Sequence, residues 1–302
     1  MIDVRRLRIL REVSRRGSLT AAAEALSYTP SAVSQHIAAL EREVGVALVE
    51  RGPRSVRVTD AGERLAREAD VIVARLAAIE EEMRAIAGLR GGILRLGAFA
   101  TAAETIAVDA MRLFAERHPA VELHFFEGDP EDCVPRLQRS ELDLVLTYEY
   151  DLLPLPPVPS LRRVPLFDDP FRVVLPPGHR AAGRERVRLA ALREEAWIAE
   201  SRADCLHYAA LACREAGFEP EVMVSTSDYR VAQVLVGRGV AVGLLPELAL
   251  RAPPSGVVVR EVDGHSFTRR IDATHRVGGE RVPALQAMLA VLREVAGDYA
   301  AA

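Results

Sequence analysis

Three groups of side chains in this sequence have the types and spacing to do chemistry. The first lies in "SYTPSAVSQHIAALEREVG": Thr29, Pro30, Ser31, Ser34, Gln35 and Arg42. Hydroxyls can serve base edges or phosphates, and a glutamine carboxamide can pair bidentately with adenine N6/N7. Arg51, Arg54 and Arg57 follow, and guanidinium groups suit phosphate. The second group is scattered: Ala100, Thr101 and Ala102, then Tyr148 and Glu149, Ser201 and Arg202, and Ser227 and Asp228. These residues end or follow expected strands, where hydroxyls and free helix N–H groups can hold a small, partly anionic molecule. The third group is Cys205 and Cys213. On a continuous helix eight residues separate Cα atoms by about 12 Å, too far for a disulfide unless the helix unwinds. No catalytic constellation and no metal spacing stands out. "GRGVAVG" (237–243) lacks the spacing of a dinucleotide loop and precedes a strand.

The elements that must position the first group are legible in the periodicity. Residues 4–45 read as helices, with Val4, Leu7, Leu10 and Val13 on one stripe and Leu19, Ala22, Ala23 and Leu26 on the next. Ser18 caps the second helix behind Gly17. Thr29 caps the third, with Pro30 at its first position, where a missing N–H costs nothing. At about 100° per residue, Val33, Ile37, Leu40 and Val44 form its buried stripe. Ser31, Gln35, Ala38 and Arg42 then face outward, with Ser34 beside them. Residues 46–59 read as a hairpin turning at "RGPR", a wing. Taken alone, a Ser/Gln face is an ordinary solvated helix surface. Behind a basic first helix and ahead of an arginine-bearing wing, it becomes a winged helix-turn-helix.

Thr59 or Asp60 can cap the next helix, and Asp60 with Glu63 fits a capping box. On that helix Leu65, Ala69, Ile72, Leu76, Ile79, Met83 and Ile86 recur at alternating steps of four and three. This is a heptad seam, expected to make a dimer contact. From Ile93 strands and helices alternate, which implies parallel sheets with covered faces. Strands are expected over 161–167 and 171–175, and the Pro-rich "LLPLPPVPS" (152–160) is expected to cross between two lobes.

Composition agrees. The chain of 302 residues has a net charge of −4, no lysine and three cysteines. Residues 1–64 carry eleven arginines against eight acids, a net of +3, which leaves −7 for the remainder. A basic front on an acidic body suits a polyanion at one end. No apolar run reaches the ~18 residues of a membrane span. The N-terminus lacks a secretory pattern, so the cytoplasm is the expected location.

The order of these segments resembles the N-terminal domain of LysR-type transcriptional regulators. The matching residues are Gly17-Ser18, Ala22-Ala23, Leu26, Pro30-Ser31, Ser34, Leu40-Glu41, Gly45, Leu48, Arg51, Thr59 and Gly62. One departure is Val49, where the family usually has an aromatic. "GGILRLGAF", "FAERHPAVEL", "CREAGFEPE" and "VAQVLVGRGVAVGLLPELAL" are similar, more loosely, to the family's effector domain.

The resemblance implies an α/β fold in which a mostly α winged helix-turn-helix (1–59) leads through a dimerisation helix (60–91) to a two-lobed, periplasmic-binding-protein-like effector domain (92–302). Chain order suggests lobe I from 93–163 plus 268–302 and lobe II from 164–267. It also implies a non-enzymatic regulator without a cofactor. Such a protein pairs as a dimer or tetramer on an interrupted dyad in double-stranded DNA, binds a small effector in the inter-lobe cleft, and contacts RNA polymerase. Peroxide-sensing members carry a cysteine pair near the position of Cys205 and Cys213, so a redox sensor is one alternative. A nucleoid-type architectural DNA binder without a ligand is another, and a solute-binding transport protein a third.

Overall fold

The computed structural model describes residues 2–51, 56–86, 92–154, 156–199, 203–251 and 256–300. Asp3 opens the first helix, α1 (Val4–Arg16), by accepting from Arg5 N, and Gly17 closes it at φ +63°. Ser18 accepts from Ala21 N to start α2 (Leu19–Ala25). Thr29 accepts from Ala32 N to start α3 (Pro30–Val44), which ends at Gly45. Leu7, Leu10 and Val13, Ala22 and Ala23, and Val33, Ile37 and Leu40 converge on one buried core. The wing follows as the hairpin β1 (Val49–Arg51) and β2 (Val56–Val58), with Glu50 opposite Arg57. Val49, where the resemblance led us to expect an aromatic, is buried in the same core.

Of the two candidate caps for α4 (Asp60–Ile86), Thr59 does the work. Its hydroxyl accepts from Gly62 N at 3.1 Å and donates to Ala47 O at 2.8 Å. Glu63 does not reach back as a capping box would have it; it accepts from Ser14 of α1. Gly62 is obligatory, because a Cβ there would stand 2.2 Å from Leu48 O.

The rest is built on a ten-stranded mixed sheet. β3 (Gly92–Ala98) runs parallel to β4 (Val121–Glu127) and β5 (Leu144–Tyr150). Between β3 and β4 lie α5 (Ala100–Ala102), a π-helical turn (Ala103–Ala107) and α6 (Val108–Arg117). α7 (Pro130–Gln138) joins β4 to β5. β6 (Leu161–Leu175) is one strand of fifteen residues, where the sequence suggests two. Its prolines mask the continuity. A bulge opposite Ile271/Asp272 accommodates the region of Pro165, which has no N–H to give the ladder. The chain therefore crosses between the halves on β6 itself, and the Pro-rich run only approaches it. β7 (Arg186–Val187), β8 (Ala196–Ala199), α8 (Ala203–Glu215), β9 (Glu221–Ser225), α9 (Tyr229–Gly237), β10 (Val242–Pro246) and β11 (Val258–Val262) build the second half. β12 (Thr268–Arg276) returns between β5 and β6, antiparallel to both, and α10 (Pro283–Ala300) covers the first half. No described helix is long and apolar enough to cross a membrane.

Candidate nucleic-acid interface and inter-lobe cleft

The candidate reading face sits at the N-terminal end of α3. Thr29 Oγ1 is 3.2 Å from Ala32 N and 3.0 Å from Ser31 Oγ. Ser31, Gln35 and Arg42 are exposed and Ser34 is half-buried. Arg42 is about two turns beyond Gln35, where its Nε lies 3.4 Å from Ala38 O. Arg57 is exposed on β2. Arg51 lies on β1, but its side chain and all of Arg54 fall outside the described residues.

The structure adds two residues that periodicity does not expose. Glu41 Oε1 accepts from Leu48 N at 2.8 Å and Val49 N at 3.1 Å, so the wing's root is pinned to the reading helix. The only sequence signal for Glu41 is its place in the family pattern. Tyr28, exposed beside the cap, packs edge-on against His36. The structure also discounts the basic first helix. Arg6 pairs with Glu43, Arg11 with Asp70, Arg15 with Glu141 and Arg16 with Glu12. Arg5 and Arg8 are exposed on α1.

On α4, Leu65 and Ala69 pack against the head's own core. That takes them out of the free stripe. The exposed part begins at Ile72 (41%), continues through half-buried Leu76 and includes Ile79 (38%). The side chains of Met83 and Ile86 lie outside the described residues.

The cleft residues separate into those the fold gathers and those it does not. Thr101 is buried, and its hydroxyl accepts from Arg269 Nη2 at 2.7 Å. Arg269, fully buried on β12, also bonds Asp169 Oδ2 of β6 at 2.8–2.9 Å. Burial works against the Arg269 charge, but the Asp169 carboxylate outweighs it and raises the pKa. The guanidinium lies 5.1 Å from the Phe99 ring and 5.4 Å from that of Tyr148. Tyr148 leads to Tyr150, which stacks on Tyr208 of α8 at 4.4 Å. The Tyr208 hydroxyl donates to Asp151 Oδ1 at 2.7 Å. Rings from both halves therefore meet beside Thr101. Ala100 is exposed next to it and Ala102 is buried. The π-turn beginning at Ala103 adjoins them, with Thr105 Oγ1 donating to Thr101 O; such turns are frequent at functional sites.

Glu149 does not join this group. Strand alternation turns it to the opposite face from Tyr148, where Arg270 and Arg163 pair with it. Asp228 is committed to capping α9, accepting from Arg230 N and Val231 N, with exposed Ser227 before it. Ser201 and Arg202 lie outside the described residues. Arg269 and Asp169 are the residues the sequence reading missed. Asp169 falls between the two strands the sequence suggests, so no local pattern marks it.

Two family models match the chain. The bacterial regulatory helix-turn-helix protein, lysR family, covers residues 4–63, and the LysR substrate binding domain covers residues 87–297. A probable hydrogen peroxide-inducible genes activator from Streptomyces viridosporus is 34% identical over 282 residues, covering 92% of this chain and 89% of that one. The transcriptional regulator MetR of Escherichia coli K12 is 29% identical over 304 residues, 99% and 92% of the two chains. Among solved structures, a cysteine-to-aspartate variant of full-length OxyR from Pseudomonas aeruginosa superposes with a TM-score of 0.74 at 22% identity, covering 97% and 95%. Full-length CbnR complexed with its target DNA gives 0.57 at 20% identity, covering 98% and 100%.

Proposed function

The chain belongs to the LysR family of DNA-binding transcriptional regulators, and from that premise we propose how its own residues do the work. Ser31, Ser34 and Gln35 read base edges from the end of α3 in a major groove, with the Thr29–Pro30 cap directed at phosphate. Arg57, with Arg51 and Arg54 on the same wing, supplies sequence-independent, salt-dependent affinity. Arg42 contacts backbone at the helix's far end. The observation that carries this reading is the exposed Ser31/Gln35 face on a capped helix whose wing is clamped by Glu41.

Two heads pair through Ile72, Leu76, Ile79, Met83 and Ile86 and so engage an interrupted dyad. β4 and β9 are the terminal strands of the large sheet and carry exposed Phe125 and Met223, which supports further association into a tetramer. A small effector enters between the lobes beside Ala100, Thr101 and Ala102, meets Arg269 and the Tyr148 ring, and displaces the contacts that Tyr208 makes. It shifts the oligomer only as far as it prefers one lobe arrangement over the other, and RNA polymerase reads the result. The protein works in the cytoplasm, and no reaction is assigned to it.

The test is Gln35→Ala measured by fluorescence anisotropy on operator and on random DNA. Specific affinity drops about 5- to 150-fold, the cost of one bidentate base contact, while random-DNA affinity and its salt slope stay. Unchanged operator affinity would remove Gln35 from the reading face.

A cysteine-based redox sensor is the second reading, favoured by the name of the Streptomyces relative. The continuous helix and the burial of Cys213 oppose it.

A further inference from the structure

The head and lobe I meet along one polar seam. Arg15 Nη1 of α1 donates to Glu141 Oε1 at 2.7 Å. Glu141 lies just past α7 and is also gripped by Arg139 at 3.0 Å and Arg136 at 3.4 Å. Beside it α4 brings Asp70, 3.7 Å from Arg11 Nε. Further along α4, the Arg75 guanidinium lies so close to the turn after β12 that a Cβ on Gly278 would stand 2.6 Å from its Nη1.

The seam is held by charge and opposed by local strain and unmet hydrogen bonds. Ser140, between Arg139 and Glu141, has φ +62°, a left-handed conformation that a side chain disfavours. Five side-chain polar atoms are buried without a hydrogen-bond partner among the described residues, and three of them are here: Ser140 Oγ, Asp70 Oδ1 and Arg11 Nε. Ser140 Oγ would regain water if the seam parted, whereas Arg11 Nε and Asp70 Oδ1 face each other at 3.7 Å on the head's side of it. Strain and unmet hydrogen bonds concentrated at one contact are the marks of an interface poised between two states.

The seam is also tied to the cleft. β12 begins beside the buried Arg269 and ends at Arg276, whose guanidinium donates to Leu137 O and Leu142 O and faces Asp143 at 3.4 Å. One strand therefore carries the cleft arginine at one end and a clamp on the Glu141 loop at the other.

We propose that this seam is a releasable strut: through Glu141, lobe I holds α1 and the root of α4, and its release frees the head to reorient relative to the effector domain. The strut sets the angle at which a head is presented, and movement of β12 loads or unloads it. It goes beyond the regulator reading, because it concerns the free protein.

Hydrogen exchange of the full-length protein in the absence of DNA tests it with two variants that push in opposite directions. Glu141→Gln weakens the charge hold and lies outside the head, so it removes no DNA contact. It speeds exchange in peptides covering residues 8–16 and 136–143 by about two- to fivefold, the range for a partly exposed ion pair, while β10 stays protected. Ser140→Gly relieves the left-handed strain and slows the same peptides. Exchange over residues 8–16 that is unaltered in both variants, or that shifts only in step with β10, overturns the strut. On operator DNA, Glu141→Gln alters footprint length while half-site affinity stays within about twofold. A footprint unchanged in Glu141→Gln would deny the strut any role in placing the heads. Failure of the wild type to footprint would count against the regulator reading alone.

Discussion

Gln35 is exposed and Ser34 beside it is half-buried, although both belong to the same polar run of α3. The difference matters for chemistry, since a side chain must reach past its own helix to touch a base edge. The cysteines make the same point from the inside. Burial, with Glu219's charge adding to it, pushes the Cys213 thiol up to about 12. Burial pushes Cys133 up to about 11 against the pull of Arg136. Only the thiolate reacts, so at about pH 7.5 iodoacetamide leaves both unmodified in the native protein. Peroxide then leaves the Cys133 and Cys213 thiols free. Loss of two thiols with a Cys205–Cys213 linkage found by peptide mass mapping would instead establish the redox reading.

α4 divides its apolar stripe between two tasks, and the heptad period alone does not show where one ends. The residues through Ala69 complete the head, and among the described side chains Ile72, Leu76 and Ile79 remain available to a second copy. Placing carboxylates at Ile72 and Ile79 would bury unpaired charge in that contact. The Ile72→Glu/Ile79→Glu double variant is expected to sediment as a monomer, with the dimer dissociation constant raised about 100-fold or more. Half-site binding survives because the head core is untouched. A dimer that sediments as before would move the pairing surface elsewhere.

At the scale of the whole molecule, the head and lobe I share a titratable group. Burial raises the Asp70 pKa from its ordinary 3.8, against the attraction of Arg11, Arg139 and Arg15. A carboxyl whose folded pKa lies above its unfolded value holds its proton better when folded. Its stabilising contribution is present below the ordinary value and is lost as pH rises through the folded one. Near neutrality Asp70 is therefore ionised at a cost. Asp70→Asn should melt above the wild type at about pH 7, and the gap should close as pH falls toward about 4. Calorimetry across that range checks the sign; a gap that widens in acid would contradict it.

What the sequence determined by itself was whatever is encoded over a few residues. Gly17, Ser18, Thr29, Pro30 and Gly45 act on their immediate backbone, so the reading helix and its ends were legible. The alternation from Ile93 onward was legible for the same reason. The tertiary structure alone decided what depends on partners far along the chain. Arg269 meets Thr101 across 168 residues, and Arg15 meets Glu141 across 126. Glu149 is turned from the cleft by its place in a strand and by Arg270 and Arg163, which no local pattern predicts. β6 reads as two strands because prolines interrupt the local signal, yet the ladders on either side make it one. Local backbone preferences act within a turn or two, whereas charge pairing and sheet register are settled only when distant segments pack.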